Sequence, residues 1–223
     1  MSSRAPTAES LRLATLLEVL SVVMSVVVVL WVVVPLAPGS RTLMCVPAVL
    51  ALSLIVYSHY VRRETLEDLG LTGTHLRSAL GLVVLPTLLA AGVLFAIGTR
   101  STSIRIDSGL LLKVVTLPLW GLFQQYILQA FIYRRVRTLF ESPAWSVLTT
   151  AALFAAVHLP NPLLTALTFV GALVWTMVYE RAPNLYVLGV SHGLISLVAM
   201  TTLPAWVLPS LSVGYKYLYY QNP

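Results

Sequence analysis

The chain has 223 residues, of which 58% are hydrophobic and only 10% are charged. A soluble domain carries about 25% charged residues, so this composition excludes an ordinary water-soluble protein and indicates a membrane protein. The net charge of +6 does not indicate nucleic-acid binding, because the basic residues stand at the ends of apolar runs, as they do in membrane proteins. The single Cys45 cannot form an intramolecular disulfide. By length, we expect one integral membrane domain over residues 1–223.

Membrane helices are predicted from the apolar runs, because a helix that crosses the bilayer needs roughly 20 mainly apolar residues. Seven segments are predicted in chain order: Leu13–Leu36, Thr42–Tyr60, Ser78–Gly98, Ser108–Phe131, Ser146–His158, Leu163–Tyr179 and Leu185–Leu203. The shorter run Ala205–Val213 is a candidate eighth helix. The first run is too long for the apolar part of a signal peptide and lacks a clear A-x-A cleavage site, so we expect it to remain. The predicted fold is all-α and polytopic, with seven to eight transmembrane helices around an internal polar cavity.

The fifth segment, Ser146–His158, is too short to cross the bilayer at full depth. It is followed by "HLPNP", in which Pro160 and Pro162 lack backbone N–H donors and stop a helix. Irregular backbone at membrane depth is tolerated only inside protein or beside a water-filled cavity. We therefore expect this helix to end inside the membrane, next to such a cavity.

The positions of lysine and arginine predict the orientation of the chain. With a cytoplasmic N-terminus, nine basic residues fall on the cytoplasmic side: Arg4, Arg12, Arg62, Arg63, Arg77, Arg134, Arg135, Arg137 and Arg181. Three fall outside: Arg41, Arg100 and Arg105. This excess predicts a multi-pass protein with its N-terminus in the cytoplasm. The Val-, Leu- and Arg-rich composition and the lack of an ER-retention tail favour a bacterial plasma membrane.

Several polar residues are interpreted without a functional role. The segment Arg62–Ser78 is predicted to be a charged, solvated loop at the membrane surface. Glu18 lies in the first turns of the first helix, where carboxylates are tolerated. His59 is interpreted as an interfacial histidine at the end of the second helix, and His75 as a loop residue.

Three glutamines stand in the middle of the fourth apolar segment, "WGLFQQYILQAFIYRR". Gln125 and Gln129 are four residues apart and share one face of a helix, whereas Gln124 points about 100° away. Polar side chains at membrane depth are costly, so they mark either a functional site or an interhelical contact. The simpler interpretation is interhelical hydrogen bonding, worth roughly 0.6–2 kcal/mol for each contact.

Two histidines also fall at membrane depth. His158 precedes the break in "FAAVHLPNP", and His192 lies in "LGVSHGLIS", with Ser196 one turn later on the same face. Gly189 and Gly193 form a G-x-x-x-G step around His192, which allows another helix backbone to approach closely. We expect these histidines and the glutamines to line one polar cavity.

The order and spacing of these residues resemble the CPBP intramembrane peptidases, named for CAAX proteases and bacteriocin-processing enzymes. The family signature runs E-E-x-x-x-R, then F-x-x-x-H, then H-x-x-x-N or D. The corresponding elements of this chain read "QQYILQ", "FAAVH" and "HGLIS", within a motif core of about residues 108–203. The resemblance implies an eight-helix core with a cavity in which a motif glutamate activates water for attack on a peptide carbonyl.

Residue by residue, the resemblance places Gln124 at the base position and Gln125 at the second carboxylate position. Gln129 replaces the family's arginine and Ser196 its asparagine, whereas His158 and His192 match directly. A glutamine cannot take a proton from water, so this site lacks the family's general base. Because the second carboxylate and the arginine are both replaced by glutamine, no buried charge is left unpaired, and we expect an amide–amide hydrogen bond between Gln125 and Gln129.

Two hypotheses remain open. In the first, the protein is an intramembrane endopeptidase acting on a membrane-associated, for example prenylated, peptide or protein, with His158 or His192 as the base and Ser196 as an oxyanion donor. In the second, the fold is non-catalytic and binds a lipid or a partner's transmembrane segment. A zinc site is disfavoured because two imidazoles are too few ligands, so no metal or cofactor is predicted. A transporter is disfavoured because the chain lacks an inverted repeat.

Overall fold

The computed structural model describes residues 7–204, 207–208 and 211–221, and within these ranges all regular structure is helical. In chain order the helices are α1 (Ala8–Leu36), α2 (Arg41–Val61), α3 (Leu76–Arg100), α4 (Leu110–Leu139), α5 (Pro143–Ala156), α6 (Pro162–Arg181), α7 (Leu185–Thr202) and α8 (Tyr215–Gln221).

Six of these helices, α1 to α4, α6 and α7, are long and apolar enough to cross a membrane, and α5 is a shorter apolar helix. The predicted all-α, polytopic membrane architecture is therefore confirmed. The candidate eighth helix, Ala205–Val213, falls partly on positions 205–206 and 209–210, which lie outside the described residues.

The break after α5 has the predicted form. Helix α5 has 14 residues and ends at Ala156, two residues before His158. Asn161 then caps α6 by accepting a hydrogen bond from the Leu164 N–H at 3.1 Å. Pro162 occupies the first turn of α6, where the missing N–H of proline costs nothing. The local sequence "HLPNP" thus ends one helix, starts the next and leaves His158 in the turn between them.

Helices α4 and α7 are in backbone contact, as the G-x-x-x-G step predicts. A Cβ atom added to Gly189 would lie 2.7 Å from the Cα of Leu122, and one added to Gly193 would lie 2.5 Å from the Cα of Pro118. On the other side, a Cβ at Gly121 would meet the Gly189 carbonyl oxygen at 2.6 Å. Any larger side chain at these positions would separate the helices. This contact brings the glutamine face of α4 against the histidine face of α7.

Helix α4 widens to a π-helix over Tyr126–Tyr133, immediately after Gln125, and this segment contains Gln129. Such wide turns are rare and are frequent at functional sites. The helix also runs further than predicted: it ends at Leu139 rather than at Phe131. The prediction ended it too early because the arginines that follow Phe131 were taken as a polar boundary, although they continue the helix and pair with carboxylates.

A mostly buried group of charged and polar side chains, here called the charged centre, joins α1, α2 and the loop after α2 to the end of α4. Its members are Glu18, Ser58, His59, Glu64 and Arg135. Arg135 is only 1% exposed; its Nε lies 3.1 Å from Glu18 Oε2 and its Nη2 lies 2.8 Å from Glu64 Oε2.

The charged centre corrects three interpretations made from sequence. The loop Arg62–Ser78 is not simply solvated, because Glu64 folds inward and its side chain is 9% exposed. Glu18 is an ion-pair partner of Arg135 rather than an isolated interfacial carboxylate. His59 is buried, and its Nδ1 lies 2.6 Å from Glu64 Oε2. Each of these partners is at least 40 residues distant or lies across a turn, so helical periodicity gives no sign of the pairing.

Candidate functional site

A cavity of about 130 Å³ lies between α4, α6, α7 and the turn after α5. Four of the six predicted site residues line it: Gln124, His158, His192 and Ser196. These residues come from three separate parts of the chain, and the predicted convergence of the two histidines with Gln124 is present. The other two predicted residues, Gln125 and Gln129, do not line the cavity; both are fully buried behind it.

His158 is held by the helix that precedes it. Its Nδ1 atom lies 2.6 Å from the carbonyl oxygen of Phe154, one turn earlier. A carbonyl oxygen only accepts hydrogen bonds, so Nδ1 carries the proton and Nε2 carries the lone pair. No residue in the described part of the chain bonds to this Nε2. The geometry therefore leaves His158 with a free proton acceptor at a cavity-lining position.

His192 is fixed by an aromatic ring and an amide. Its imidazole stacks on the indole of Trp175, with ring centroids 4.5 Å apart and planes 21° apart. The Trp175 Nε1–H donates to Ser191 Oγ at 2.9 Å, which holds the indole in turn. On the other side, the Nδ1 atom of His192 lies 3.3 Å from Nε2 of Gln125. Phe154 presents its ring at a steep angle to both histidines, at 4.7 Å from His158 and 6.0 Å from His192.

The buried glutamines form a chain of hydrogen bonds that ends at His192, here called the neutral centre (Thr176, Gln129, Gln125 and His192). Gln129 Nε2 donates to Gln125 Oε1 at 3.1 Å and to Thr176 Oγ1 at 3.1 Å. The expected amide–amide hydrogen bond is therefore present. Because Gln125 touches His192 and not the cavity, it acts on the site only through that ring.

Thr176, Trp175 and Phe154 also shape the site, and none of them was predicted from the sequence in this role. Phe154 belongs to the F-x-x-x-H motif, but its carbonyl contact with His158 was not inferred. Thr176 could have been suspected, because it is a polar residue in the middle of an apolar helix, yet threonine commonly bonds to its own helix backbone. Nothing in the sequence of α6 indicates that Trp175 stacks on a ring from α7.

None of the residues that line this cavity, all of which belong to the described part of the chain, is a carboxylate. In the described ranges, no group of three or more His, Cys, Asp or Glu residues lies close enough together to hold a metal ion. Among the residues that line the cavity, the histidines can take up a proton, and the amide and hydroxyl groups can donate hydrogen bonds.

The charged centre lies outside this cavity, because none of its members lines it. Burial alone would raise the pKa of Glu64, but hydrogen bonds from His59, Arg135 and Arg134 outweigh burial and hold the pKa of this carboxyl well below its usual range. Glu64 is therefore a permanently charged anchor rather than a candidate acid or base.

Comparison with known proteins relates part of the chain to a family. Residues 106–198 match the family model for type II CAAX prenyl endopeptidase Rce1-like proteins. The matched segment contains all six predicted site residues. Neither a curated protein nor a solved structure matches the chain. Over this segment the chain is similar to the Rce1-like CAAX endopeptidases of the CPBP family, a likeness that suggests an intramembrane peptidase-type function.

Proposed function

We propose that the protein is an intramembrane endopeptidase whose general base is His158 rather than a glutamate. The observation that carries this proposal is the hydrogen bond from His158 Nδ1 to the Phe154 carbonyl, which leaves Nε2 as an acceptor. His158 shares its cavity with Gln124, His192 and Ser196, so a proton acceptor and several hydrogen-bond donors surround one small volume. The family gives the reaction type, and this arrangement supports the assignment of roles.

Hydrolysis at such a site needs only neutral groups at the start. His158 Nε2 takes a proton from water while the water oxygen bonds to the peptide carbonyl carbon, which produces an oxyanion. The Gln124 amide and the Ser196 hydroxyl donate hydrogen bonds to the carbonyl oxygen as its charge develops. Protonated His158 then gives its proton to the amide nitrogen as the C–N bond breaks. The products are a carboxylic acid and an amine, which exchange a proton to give a carboxylate and an ammonium group, and His158 returns to its neutral form.

The substrate class is inferred from a second cavity. This cavity, of about 150 Å³, is lined by apolar residues of α1, α4 and α5 and shares Trp120, Gln124 and Phe154 with the neighbourhood of the histidines. A membrane-associated peptide bound at the histidines would have an apolar side chain or lipid group beside this second volume. We therefore propose a lipid-modified or strongly apolar peptide as substrate rather than a soluble, polar one.

The proposed orientation follows the charges and the contacts of the loops. The loop after α2 bonds to the start of α7, where the Leu185 N–H donates to the Gly70 carbonyl, and most basic residues cluster at this end. At the opposite end the Arg105 N–H donates to Thr201. The positive-inside rule favours the first end as cytoplasmic. This assignment puts the N-terminus in the cytoplasm, and we propose a bacterial plasma membrane as the location.

The test is cleavage of a peptide panel by purified protein. Membrane-anchored peptides with and without a prenyl group are incubated in lipid nanodiscs with the parent chain and with His158→Ala. Loss of a general base lowers the rate by roughly 10²–10⁴-fold, so we expect at least a hundredfold lower kcat/KM in the variant. His75→Asn is the matched control, because His75 has a positive φ of 60° that asparagine tolerates. Equal cleavage by parent and His158→Ala removes the proposal.

The lack of a carboxylate among the cavity-lining residues supports a second candidate, a non-catalytic protein that binds a lipid or a partner's transmembrane segment. The Gln124→Glu variant separates the two candidates, because it restores the acid–base group of the family at the cavity wall. Cleavage by Gln124→Glu but not by the parent would establish the non-catalytic role. Cleavage by the parent at an ordinary rate would exclude it.

A further inference from the structure

The two histidines of the site make different contacts through the same atom. His158 Nδ1 faces a carbonyl oxygen, which can only accept a hydrogen bond. His192 Nδ1 faces the side-chain nitrogen of Gln125 at 3.3 Å, and an amide nitrogen can only donate. If both contacts are hydrogen bonds, the protons of the two rings must sit on opposite nitrogens. The question is what keeps the Gln125 amide turned with its nitrogen toward His192.

The orientation of Gln125 is set by Gln129. The Nε2 of Gln129 has two protons, and both have acceptors, one in Gln125 Oε1 and one in Thr176 Oγ1, each at 3.1 Å. In this arrangement Gln129 Oε1 is without a partner. In the reverse orientation, the amide nitrogen of Gln129 would take the place of its unpartnered oxygen. Both of its N–H groups would then lack an acceptor, and the side chain is fully buried. Two unpaired buried donors cost more than one unpaired acceptor, so the observed orientation is favoured.

With Gln125 Oε1 occupied by Gln129, its Nε2 is left to face His192. Nδ1 of His192 then accepts, and Nε2 carries the proton. Stacking on Trp175 holds the ring in this plane. The direction of every hydrogen bond in the neutral centre is therefore set at Gln129, which donates to Gln125 on one side and to the hydroxyl of Thr176 on α6 on the other. Thr176 lies outside all three family motifs.

We infer that Thr176 is a positioning residue that acts through Gln129 and Gln125 to hold His192 with its proton on Nε2, the tautomer opposite to that of His158. The two imidazoles therefore do different work, and this consequence for hydrolysis rests on the proposed function. His158 presents a lone pair and accepts a proton, whereas His192 presents an N–H and donates to the oxyanion. An ionised carboxylate at position 125 would instead accept from Nδ1 and favour the other tautomer, so the glutamine is what gives His192 its donor role.

Nitrogen NMR of histidine-labelled, full-length protein in nanodiscs tests the inference without any substrate. Protonated and unprotonated ring nitrogens give well-separated ¹⁵N signals, and the chain has only four histidines, which single His→Asn variants assign. In the parent we expect the proton of His158 on Nδ1 and that of His192 on Nε2. The same tautomer on both rings in the parent would overturn the inference.

Two variants test the positioning role. Thr176→Val removes one of the two acceptors of the Gln129 amide and is expected to give His192 a mixture of tautomers. Thr176→Ser keeps the hydroxyl and is expected to retain the parent spectrum. Thr116→Val is the matched control, because Thr116 is an exposed membrane threonine that bonds only to its own helix. An unchanged His192 signal in Thr176→Val would overturn the role of Thr176. If Thr176→Val does not fold, Gln125→Met removes the donor to His192 directly, with the same mixture expected and an unchanged tautomer overturning the inference.

Activity gives a separate readout. In a peptidase, Thr176→Val is expected to lower kcat by about tenfold or more with little change in KM, because oxyanion donation acts in the transition state. The tautomer result stands on its own. Opposite tautomers in a protein that cleaves no peptide would reject the proposed function and leave this inference intact. Cleavage by a protein whose two histidines have the same tautomer would reject this inference and leave the proposed function intact.

Discussion

Helix α4 carries two polar centres that differ in how their buried polar side chains are paired, one by hydrogen bonds between neutral groups and the other by ion pairs. The neutral centre is built from amides, a hydroxyl and an imidazole, and its hydrogen bonds run outward from Gln129, to Thr176 of α6 on one side and through Gln125 to His192 of α7 on the other. The charged centre neutralises Arg135 with two carboxylates from other helices and loops. Ion pairs in a buried site bring a large desolvation cost that only complete pairing offsets, whereas an amide chain has no net charge to offset. The charged centre therefore anchors helices, and the neutral centre can lie beside a cavity.

The largest loss of stability is expected from removing Arg135, the cation of the charged centre. Arg135→Met removes the partner that Glu18 and Glu64 share, and breaking a buried pair costs about 3–5 kcal/mol. We expect the lower end of this range, because Glu64 keeps Arg134 and Glu18 keeps Arg62. The free energy of unfolding in detergent, measured by denaturant titration, checks this value. Arg137→Gln is the control, because the Arg137–Glu180 pair is about one-third exposed at each side chain and is expected to contribute at most about 1 kcal/mol. Similar losses in the two variants would show that Arg135 is not an anchor.

A somewhat smaller effect is expected from separating the helices on which the neutral centre depends. Gly193→Ala places a methyl group within 2.5 Å of the Pro118 backbone, and such overpacking costs about 1–3 kcal/mol. The displacement also moves His192 away from Gln125, so the ¹⁵N signals of His192 should change. Gly92→Ala is the control, because a Cβ there meets no atom within 4 Å. A Gly193→Ala variant with parent-like stability and spectrum would contradict the close packing of α4 and α7.

A still smaller effect is expected from breaking the neutral centre itself. Gln129→Leu removes two hydrogen bonds and leaves the Gln125 oxygen unpaired, but it exposes no charge. Interhelical hydrogen bonds in membranes contribute about 0.6–1.7 kcal/mol, so the loss should be about 1 kcal/mol, well below that of Arg135→Met. Parallel unfolding experiments on the two variants measure the difference. A loss from Gln129→Leu as large as that from Arg135→Met would remove the distinction between the two centres.

The effect of pH on the free energy of unfolding should be small near neutrality and should come from the charged centre. Because the pKa of Glu64 is lowered on folding, its contribution to stability is fully present above its unfolded pKa of about 4.3 and is lost as pH falls toward its folded pKa. The slope from this one group is at most about 1.4 kcal/mol per pH unit. The stability difference between the parent and Glu64→Gln should be constant from pH 7 to pH 5 and should shrink below about pH 4. A difference that grows on acidification would contradict the assignment.

The neutral centre was more predictable from sequence than the charged centre. The bond between Gln125 and Gln129 follows from their spacing on one helix, and the contact of α4 with α7 follows from the small residues around His192. By contrast, Arg135 pairs with carboxylates about 70 and more than 110 residues away. Periodicity describes only local neighbours, so a pairing of this kind depends on the arrangement of the helices, which the pattern does not contain.

The motif residues were predicted from the sequence, but which of them line the cavity was not. The motif residues Gln124, His158, His192 and Ser196 line the cavity, whereas Gln125 and Gln129 stand behind it. Trp175, which stacks on His192, lies outside the motifs and was not predicted. Thr176 was missed for a physical reason. A threonine hydroxyl in a membrane helix usually bonds to the carbonyl one turn earlier, so its sequence position does not reveal when it accepts a bond from another helix.

The π-helical segment of α4 has a consequence for how the two centres coexist. A π turn accommodates one residue more than an α turn, so it changes the angular phase of everything that follows. If the same residues of Tyr126–Tyr133 took α geometry instead, the residues that follow would be rotated by about 100°. Gln125 would keep its position, whereas Arg135 would turn away from its carboxylates. The wide turn therefore lets one continuous helix present its amides to one set of helices and its guanidinium to another.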